Sequence, residues 1–321
     1  MIDRLSDEHI QQILDFYVLK GMDETCKSFD ISSETVNRYL REARERGLNG
    51  VTISKSVRDI IANYTEDELS AIAKGGRIVP GYTKVPVISF SGKRIRVGHM
   101  TDTHIGSLYF DPSRLEQTFE EFKKEKVDFI THSGDVTEGM SHRPGQIYEL
   151  SELGYAKQKE KSIELFSQWT DTDIYSVSGN HDQWFIKSNG ANIVEDISMA
   201  VQNFHFLGHD EGDISLDGKA ILKLWHGGDG NSYALSYRLQ KILESLSGGE
   251  KPNVLIAGHV HKYVSIFERN VYAIGVGTLQ RQTQFMRGKR ISAHVGFVIA
   301  DYWVNERGLA KMGHMWHPYY A

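Results

Sequence analysis

Five short polar blocks, each at the end of an apolar run, carry the residue types that could do chemistry. They are Asp102-Thr103-His104 after the run ending at Met100, and Gly134-Asp135 after the one ending at His132. Gly179-Asn180-His181-Asp182 follows Val177, His226-Gly227-Gly228 follows Trp225, and Gly258-His259-Val260-His261 follows Ala257. Carboxylates with neutral imidazoles suit divalent ions such as Mn, Fe, Zn, Ni or Mg, and the lack of thiols argues against a structural zinc cluster. A carboxylate bridging two ions about 3.5–4 Å apart is the usual arrangement for phosphoester chemistry. Gathered in a core with no cation, these groups would bear a large desolvation cost. Asp102 and His104, like His259 and His261, are two apart, so an extended segment would send both side chains to one side. The glycines before Asp135, Asn180 and His259 allow close backbone approach.

The elements that must position these blocks alternate along the chain. Short strands are predicted at 85–90 and 93–99, joined as a hairpin through Ser91-Gly92, and then at 127–132 and 173–177. Helices are predicted over 111–126, from about Ile147 to Trp169, and over 233–246, with later strands at 204–207, 214–216, 220–225, 254–257, 264–267, 271–274 and 294–302. This is a layered α/β pattern, whose ligand-binding crevice lies at the C-terminal ends of its strands. The aromatic tail 315–320 is expected to cap the sheet, and His99 and His132 to be core groups.

Before the α/β pattern come three predicted helices, the first ending at Lys20-Gly21, the second over Asp23–Phe29 and the third opening at Ser33-Glu34-Thr35. The stretch from Glu24 to Leu40 resembles helix-turn-helix domains of the homeodomain-like kind, which implies a DNA-binding module with Arg38, Arg41 and Arg44 on its third helix. Charge tempers this reading, since residues 1–49 hold seven basic against ten acidic residues, and a protein-interaction or homodimerisation module is the competing one. The expected division is a helix-turn-helix domain at 1–49, a connector with short helices at 50–84 and the α/β domain at 85–321.

The five blocks, in order, resemble the calcineurin-like metallophosphoesterases, whose pattern of Asp-x-His, Gly-Asp, Gly-Asn-His-Asp/Glu, His and Gly-His-x-His is complete between Lys93 and Tyr302. The resemblance implies a sheet sandwich flanked by helices. It also implies two divalent metal ions, with Mn2+ the first choice. Asp102, His104 and His261 would hold the first, Asn180, His226 and His259 the second, and Asp135 would bridge. His181 would act on the leaving oxygen during in-line attack of a hydroxide on phosphorus, with Glu138 or Asp182 orienting its imidazole.

Departures from the family bear on substrate. Protein phosphatases of this clan carry Gly-Asp-x-x-Asp-Arg-Gly, whereas this chain reads Gly134-Asp135-Val136-Thr137-Glu138-Gly139 and lacks that arginine. The resemblance then points to the branch of DNA-repair exonucleases and phosphodiesterases. The segment 277–290, expected as a loop, offers Arg281, Arg287, Lys289 and Arg290 to a polynucleotide backbone. The leading expectation is a DNA nuclease. The alternatives are a phosphoesterase for nucleotides or other small esters, and a DNA-binding regulator with a non-catalytic scaffold.

Bulk composition sets outer limits only. Of 321 residues, 40% are hydrophobic and 25% charged, the net charge is -5, and Cys26 is the single cysteine. These values suit a globular chain in a reducing compartment, with no disulfide framework and no global basic field. With no long apolar run, the expected setting is cytoplasmic, without a membrane partner.

Overall fold

The computed structural model describes residues 6–46, 48, 86–88, 94–141, 144–228, 234–246 and 251–320. The connector predicted at 50–84 and the Ser91-Gly92 turn lie outside the described residues. The chain divides into two compact units, residues 1–81 and 82–321.

The first unit holds α1 (Asp7–Lys20), α2 (Met22–Phe29) and α3 (Ser33–Glu45). Ser6 Oγ accepts from the His9 amide at 3.3 Å and Ser32 Oγ from the Thr35 amide at 3.2 Å, so hydroxyls satisfy the open amides at the starts of α1 and α3. Asp30 ends α2 in a left-handed conformation, with its N–H on the Cys26 carbonyl. Ile10, Ile13, Val36 and Ala43 are buried, the apolar spacing having placed them on inward faces.

In the second unit twelve described strands form two six-stranded sheets. One runs β12-β11-β2-β3-β4-β5, built from β2 (Arg94–Met100), β3 (Phe129–His132), β4 (Ile174–Ser178), β5 (Phe204–His209), β11 (Gly296–Asn305) and β12 (Gly308–Pro318). The other runs β1-β6-β7-β8-β10-β9. Its strands are β1 (Val87–Ile88), β6 (Glu211–Leu216), β7 (Ala220–Trp225), β8 (Val254–Ala257), β9 (Tyr263–Glu268) and β10 (Val271–Val276). Strands β2, β3, β4 and β5 are parallel neighbours, as are β7 and β8, so their C-terminal ends open the same way within each sheet.

Period-two alternation decides what each face buries. Ile95, Val97, Phe129 and Val177 from one sheet meet Leu222, Leu224, Val254 and Ile256 from the other in a shared core. The opposite face of the first sheet packs Ile130 and Ile174 against α4 (Pro112–Lys124), α5 (Gly154–Phe166) and α7 (Ile193–Ala200), through Phe119, Phe122, Phe166 and Ile197. Leu255, Ala257 and Ala273 face α8 (Tyr237–Ser245) through Leu239 and Leu243. The result is a sheet sandwich with helices on both outer faces, held by side chains each contributing about 1.5–3 kcal/mol on full burial. Two further short helices, α6 (Gln183–Asn189) and α9 (Gln284–Gly288), lie beside the strand ends. Among the described residues no helix is long and apolar enough to cross a membrane.

Four expectations need correction. The segments at 85–90 and 93–99 do not form a hairpin with each other, because β1 pairs parallel with β6 in one sheet and β2 lies in the other. The helix expected from Ile147 to Trp169 is two pieces, a 3-10 turn at Gln146–Glu149 and α5. Between them the Ser151 and Glu152 amides both turn to the Gly106 carbonyl instead of continuing a helix. Residues 315–320 mostly extend a strand rather than cap the sheet, because β12 pairs with β11 along its whole length. Residues 284–288, expected as loop, form α9, capped by Thr283 Oγ1.

Candidate metal centre

Each of the five polar blocks begins where a strand stops. Asp102 and His104 follow β2, Asp135 follows β3, Asn180 and His181 follow β4, His226 follows β7, and His259 and His261 follow β8. Both sheets therefore deliver ligating groups to one edge of the sandwich.

The backbone there departs from the strand geometry assumed above. Asp102 and His104 have φ of 51° and 50°, Asp135 51°, His259 73° and His261 53°. Their side chains converge because alternate residues turn left-handed, and the extended-strand explanation for the Asp102/His104 and His259/His261 pairs is corrected. Left-handed backbone is strained for a non-glycine residue, although Asp and His tolerate it better than most. Five such residues in one site make it a place where conformational strain is held by surrounding structure. Close approach is built in as well. A Cβ on Gly179 would collide with the Asp135 backbone nitrogen and Oδ1, so only glycine lets β4 end against Asp135.

The side chains form two clusters sharing Asp135. On one side His261 Nε2 is 3.0 Å from Asp102 Oδ1 and 3.2 Å from His104 Nε2, which is 3.7 Å from Asp135 Oδ2. On the other, His226 Nε2 is 3.1 Å from the same Asp135 oxygen and 3.2 Å from Asn180 Oδ1, while Asn180 Oδ1 is 2.9 Å from His259 Nδ1. Asp102, His104 and His261 could thus hold one ion, and Asp135, His226 and His259 another.

The donor chemistry fits cations. His226 Nδ1 sits 2.6 Å from the Ser133 carbonyl, so that nitrogen carries the proton and Nε2 presents its lone pair inward. His104 Nδ1 lies 3.1 Å from Glu138 Oε2, which likewise turns Nε2 inward. Lone pairs from imidazoles, carboxylates and an amide oxygen then face one another, an arrangement that a cation satisfies.

Electrostatics without a cation say the same. Burial opposes a proton on His104, but Asp102, Glu138 and Asp135 outweigh it and hold the imidazole well above its ordinary range. Burial likewise works against His226, and chiefly Asp135 lifts it to about 9. Asp102 and Asp135 are held low against burial, Asp102 by His261 and His104, Asp135 mainly by His226 and His181. Two buried carboxylates demand positive charge, and protons or divalent ions can supply it.

His181 lies over this centre. Its Nδ1 donates to the Glu138 backbone carbonyl at 2.8 Å, its amide donates to Asp135 Oδ1 at 2.8 Å, and its ring packs on Trp184 with centroids 3.9 Å apart. A ring nitrogen of His181 also falls within 4.8 Å of ligand atoms on His104 and Asp135. Burial outweighs both Asp135 and Glu138, so the imidazole is pulled below its usual value.

Glu138 and Asp182, the two candidates for orienting His181, have different tasks. The Glu138 carboxylate stands 3.7 Å from His181 Nδ1 and is engaged with His104, Gln146 and Gln280, so its carbonyl does the holding. Asp182 accepts from the amides of Gly179, Val136 and Thr137 and from Thr137 Oγ1, at 2.8–3.1 Å. Asp182 therefore braces the β3 and β4 loops instead of facing the imidazole. Burial and the Asp135 charge push its carboxyl up to about 6 against the bonds from Gly179 and Thr137.

Gln146 and Gln280 went unmarked in the sequence. Glutamine is common in loops, and nothing in their spacing announces a shared partner. Arg281, Arg287, Lys289 and Arg290 are exposed, on and around α9, and Arg38 and Arg41 are exposed on α3. None of the four on and around α9 pairs with the carboxylates of the centre.

The sequence pattern of the family described as calcineurin-like phosphoesterase matches residues 95–263, more than half of the chain. The chain belongs to this family. Among curated relatives, the DNA polymerase II small subunit of Methanothermobacter thermautotrophicus is 27% identical over 277 residues, covering 71% of this chain and 55% of that protein. The DNA polymerase II small subunit of Halobacterium salinarum is 22% identical over 318 residues, covering 83% and 62%. The chain thus spans a little over half the length of the curated relatives it matches. Among solved structures, a novel archaeal phosphodiesterase aligns at 16% identity and a TM-score of 0.41, over 70% of this chain and 100% of that one. The phosphoesterase Yfce from E. coli aligns at 17% identity and 0.38, over 68% and 98%.

Proposed function

We propose that this chain hydrolyses phosphodiester bonds in DNA with two divalent ions, Mn2+ being the first to test. Asp102, His104 and His261 would hold one ion, Asn180, His226 and His259 the other, and Asp135 would be shared. The observation that carries this reading is the single Asp135 oxygen lying between His104 on one side and His226 on the other. When bound, such ions make water nucleophilic at neutral pH and offset charge on phosphoryl oxygens.

The chain's own residues orient and move protons. Glu138 keeps the Nδ1 proton of His181 on its carbonyl, leaving Nε2 as the atom that exchanges a proton with the leaving oxygen. The Asp135 bond to the His181 amide fixes where that imidazole stands. Through its carboxylate Glu138 also aligns His104.

Charge favours a diester over a monoester. The carboxylates of Asp102, Asp135 and Glu138 pair with histidines and with Gln146 and Gln280, and among the described residues no arginine joins them. Gly139 stands where protein phosphatases carry arginine. It has φ of 66° and lies against the His181 carbonyl, which leaves no room for a side chain. A diester brings one negative charge where a monoester brings up to two, so it asks for less cationic help. Relatives named as DNA polymerase small subunits favour DNA as the polymer. Docking by α2 and α3, with Arg38, Arg41 and Arg44, is the targeting role that fits a helix-turn-helix reading of those helices.

The test is direct. Metal-free protein is supplied with Mn2+ and offered labelled single- and double-stranded DNA, bis-p-nitrophenyl phosphate and p-nitrophenyl phosphate. DNA and the diester are expected to be cleaved, and cleavage to be lost in Asp135→Ala. Turnover of the monoester alone would overturn the DNA reading. Absence of any turnover with Mn2+, Fe2+, Zn2+, Ni2+ or Mg2+ would overturn catalysis itself.

A further inference from the structure

The loop that follows β10 reaches three residues of the centre at once. Gly277, with φ of 95°, lies so close to His294 that a Cβ there would strike the His294 carbonyl. Thr278 Oγ1 then donates to the Asp102 carbonyl at 3.0 Å, and the amides of Leu279 and Gln280 approach the same oxygen at 3.2 Å each. Gln280 Nε2 donates to Glu138 Oε2 and to Ser107 Oγ, both at 2.9 Å, so both of its N–H groups are used. That Glu138 oxygen stands 3.1 Å from His104 Nδ1, and the Ser107 amide donates back to the His104 carbonyl at 3.0 Å. On its other side, the Thr278 amide donates to the His294 carbonyl at 3.0 Å, and the His294 amide to the His261 carbonyl at 2.9 Å.

Asp102, His104 and His261 are the residues assigned to one ion, so a single short segment is tied to all three. Asp102 and His261 both hold left-handed backbone, which surrounding bonds must maintain. Thr278, Gln280, Ser107 and Glu138 are buried, where an amide side chain is costly unless its hydrogen bonds are met. An apolar side chain of similar length would fill the same space. What the amide adds is direction, because a fully satisfied buried network specifies one arrangement. The other ion position takes its orientation elsewhere, His226 from the Ser133 carbonyl. The family's sequence pattern ends at residue 263, so Thr278 and Gln280 both lie beyond it.

We propose that Thr278 and Gln280 are positioning residues that set the divalent-ion affinity of the Asp102, His104 and His261 position and not that of its neighbour. The proposal rests on the two-ion reading above, but it is measured by binding, with no turnover needed. Mn2+ alone is titrated into the metal-free full chain by calorimetry. His226→Ala strips the neighbouring position and isolates the one in question, and His261→Ala does the converse. Gln280→Met is expected to weaken Mn2+ about tenfold in the His226→Ala background and to change nothing in the His261→Ala background. Thr278→Val keeps its shape but loses the bond to the Asp102 carbonyl. It should show the same one-sided loss, and it carries the test if Gln280→Met does not fold. Losses in both backgrounds, as a merely structural role would give, or in neither, would overturn the inference. Hydrolysis of DNA by a protein whose Mn2+ affinity ignores both substitutions would overturn the inference alone. A one-sided loss in a protein that cleaves no DNA would support it and sink only the hydrolase reading. A parent that binds no Mn2+ would overturn both.

Discussion

The backbone carbonyl of Glu138, and not its carboxylate, accepts the Nδ1 proton of His181, at 2.8 Å. The side chain stands back at 3.7 Å and serves His104 instead. Glu138→Gln keeps the carbonyl and should therefore keep His181 in place. We expect it to cost about tenfold in kcat with Mn2+ and bis-p-nitrophenyl phosphate, through a less well aligned His104. His181→Ala removes the group proposed to exchange a proton and should cost roughly 10²–10⁴-fold. Equal losses in the two variants would refute this division of labour.

Asp182 makes a separate case, one of stability. Four donors from the β3 and β4 loops end on its buried carboxylate. Asp182→Ala would leave those donors buried without acceptors, a cost of about 1–3 kcal/mol for each unsatisfied group before relaxation. A net loss on the order of 3 kcal/mol is expected, read as a lower urea midpoint at an unchanged denaturant slope. A variant as stable as the parent would show that water or loop movement replaces these bonds.

Much of the candidate centre was legible because the residue types suited to metal ligation are few. Asp102, His104, Asp135, Asn180, His226, His259 and His261 stand out since few other side chains offer such lone pairs, and the apolar runs before them mark strand ends. What the chain could not announce was three-dimensional choice. Left-handed backbone at Asp102 and His261 leaves no compositional trace, since Asp and His adopt other conformations equally well. The Glu138–Gln280 bond spans 142 positions, beyond the reach of any local pattern. In the fold, short continuous apolar runs revealed strands buried on both faces, such as β8. They missed β12, whose half-exposed sequence Gly308–Pro318 is apolar on neither face consistently. The break between Gln146 and Gly154 was hidden because the Gly106 carbonyl that captures the Ser151 and Glu152 amides comes from another loop.

Close approach at Gly179 sets up a test of metal binding. Any Cβ there would strike Asp135 and would come within 2.7 Å of His226 Nε2. Gly179→Ala should displace Asp135 from its shared position and weaken Mn2+ binding by about 10–100-fold, the range seen when metal ligands lose their orientation. Titration calorimetry on metal-free protein would measure it. Circular dichroism should show the sheets intact, since Gly179 lies beyond the end of β4. Unaltered affinity would mean that Asp135 does not depend on this approach.

His99 gives a dependence on pH away from the centre. It is fully buried on β2 between Thr131 Oγ1 at 2.6 Å and Tyr302 Oη at 2.7 Å, and burial pushes its pKa down to about 3 from 6.5. A neutral imidazole donates once and accepts once, which two hydroxyls can match. Between pH 6.5 and 3 the unfolded chain binds a proton that the native chain refuses, so native stability falls as pH falls. The contribution is complete above about pH 6.5 and is lost at up to roughly 1.4 kcal/mol per pH unit below it. From pH 7 to pH 5, His99 should therefore account for about 2 kcal/mol of lost stability. His99→Gln can supply one donor and one acceptor without titrating. Urea unfolding of both proteins at the two pH values isolates the effect, because other titrating groups cancel in the difference. The variant should lose about 2 kcal/mol less than the parent over that interval, and equal losses would mean that His99 takes up its proton in the folded state.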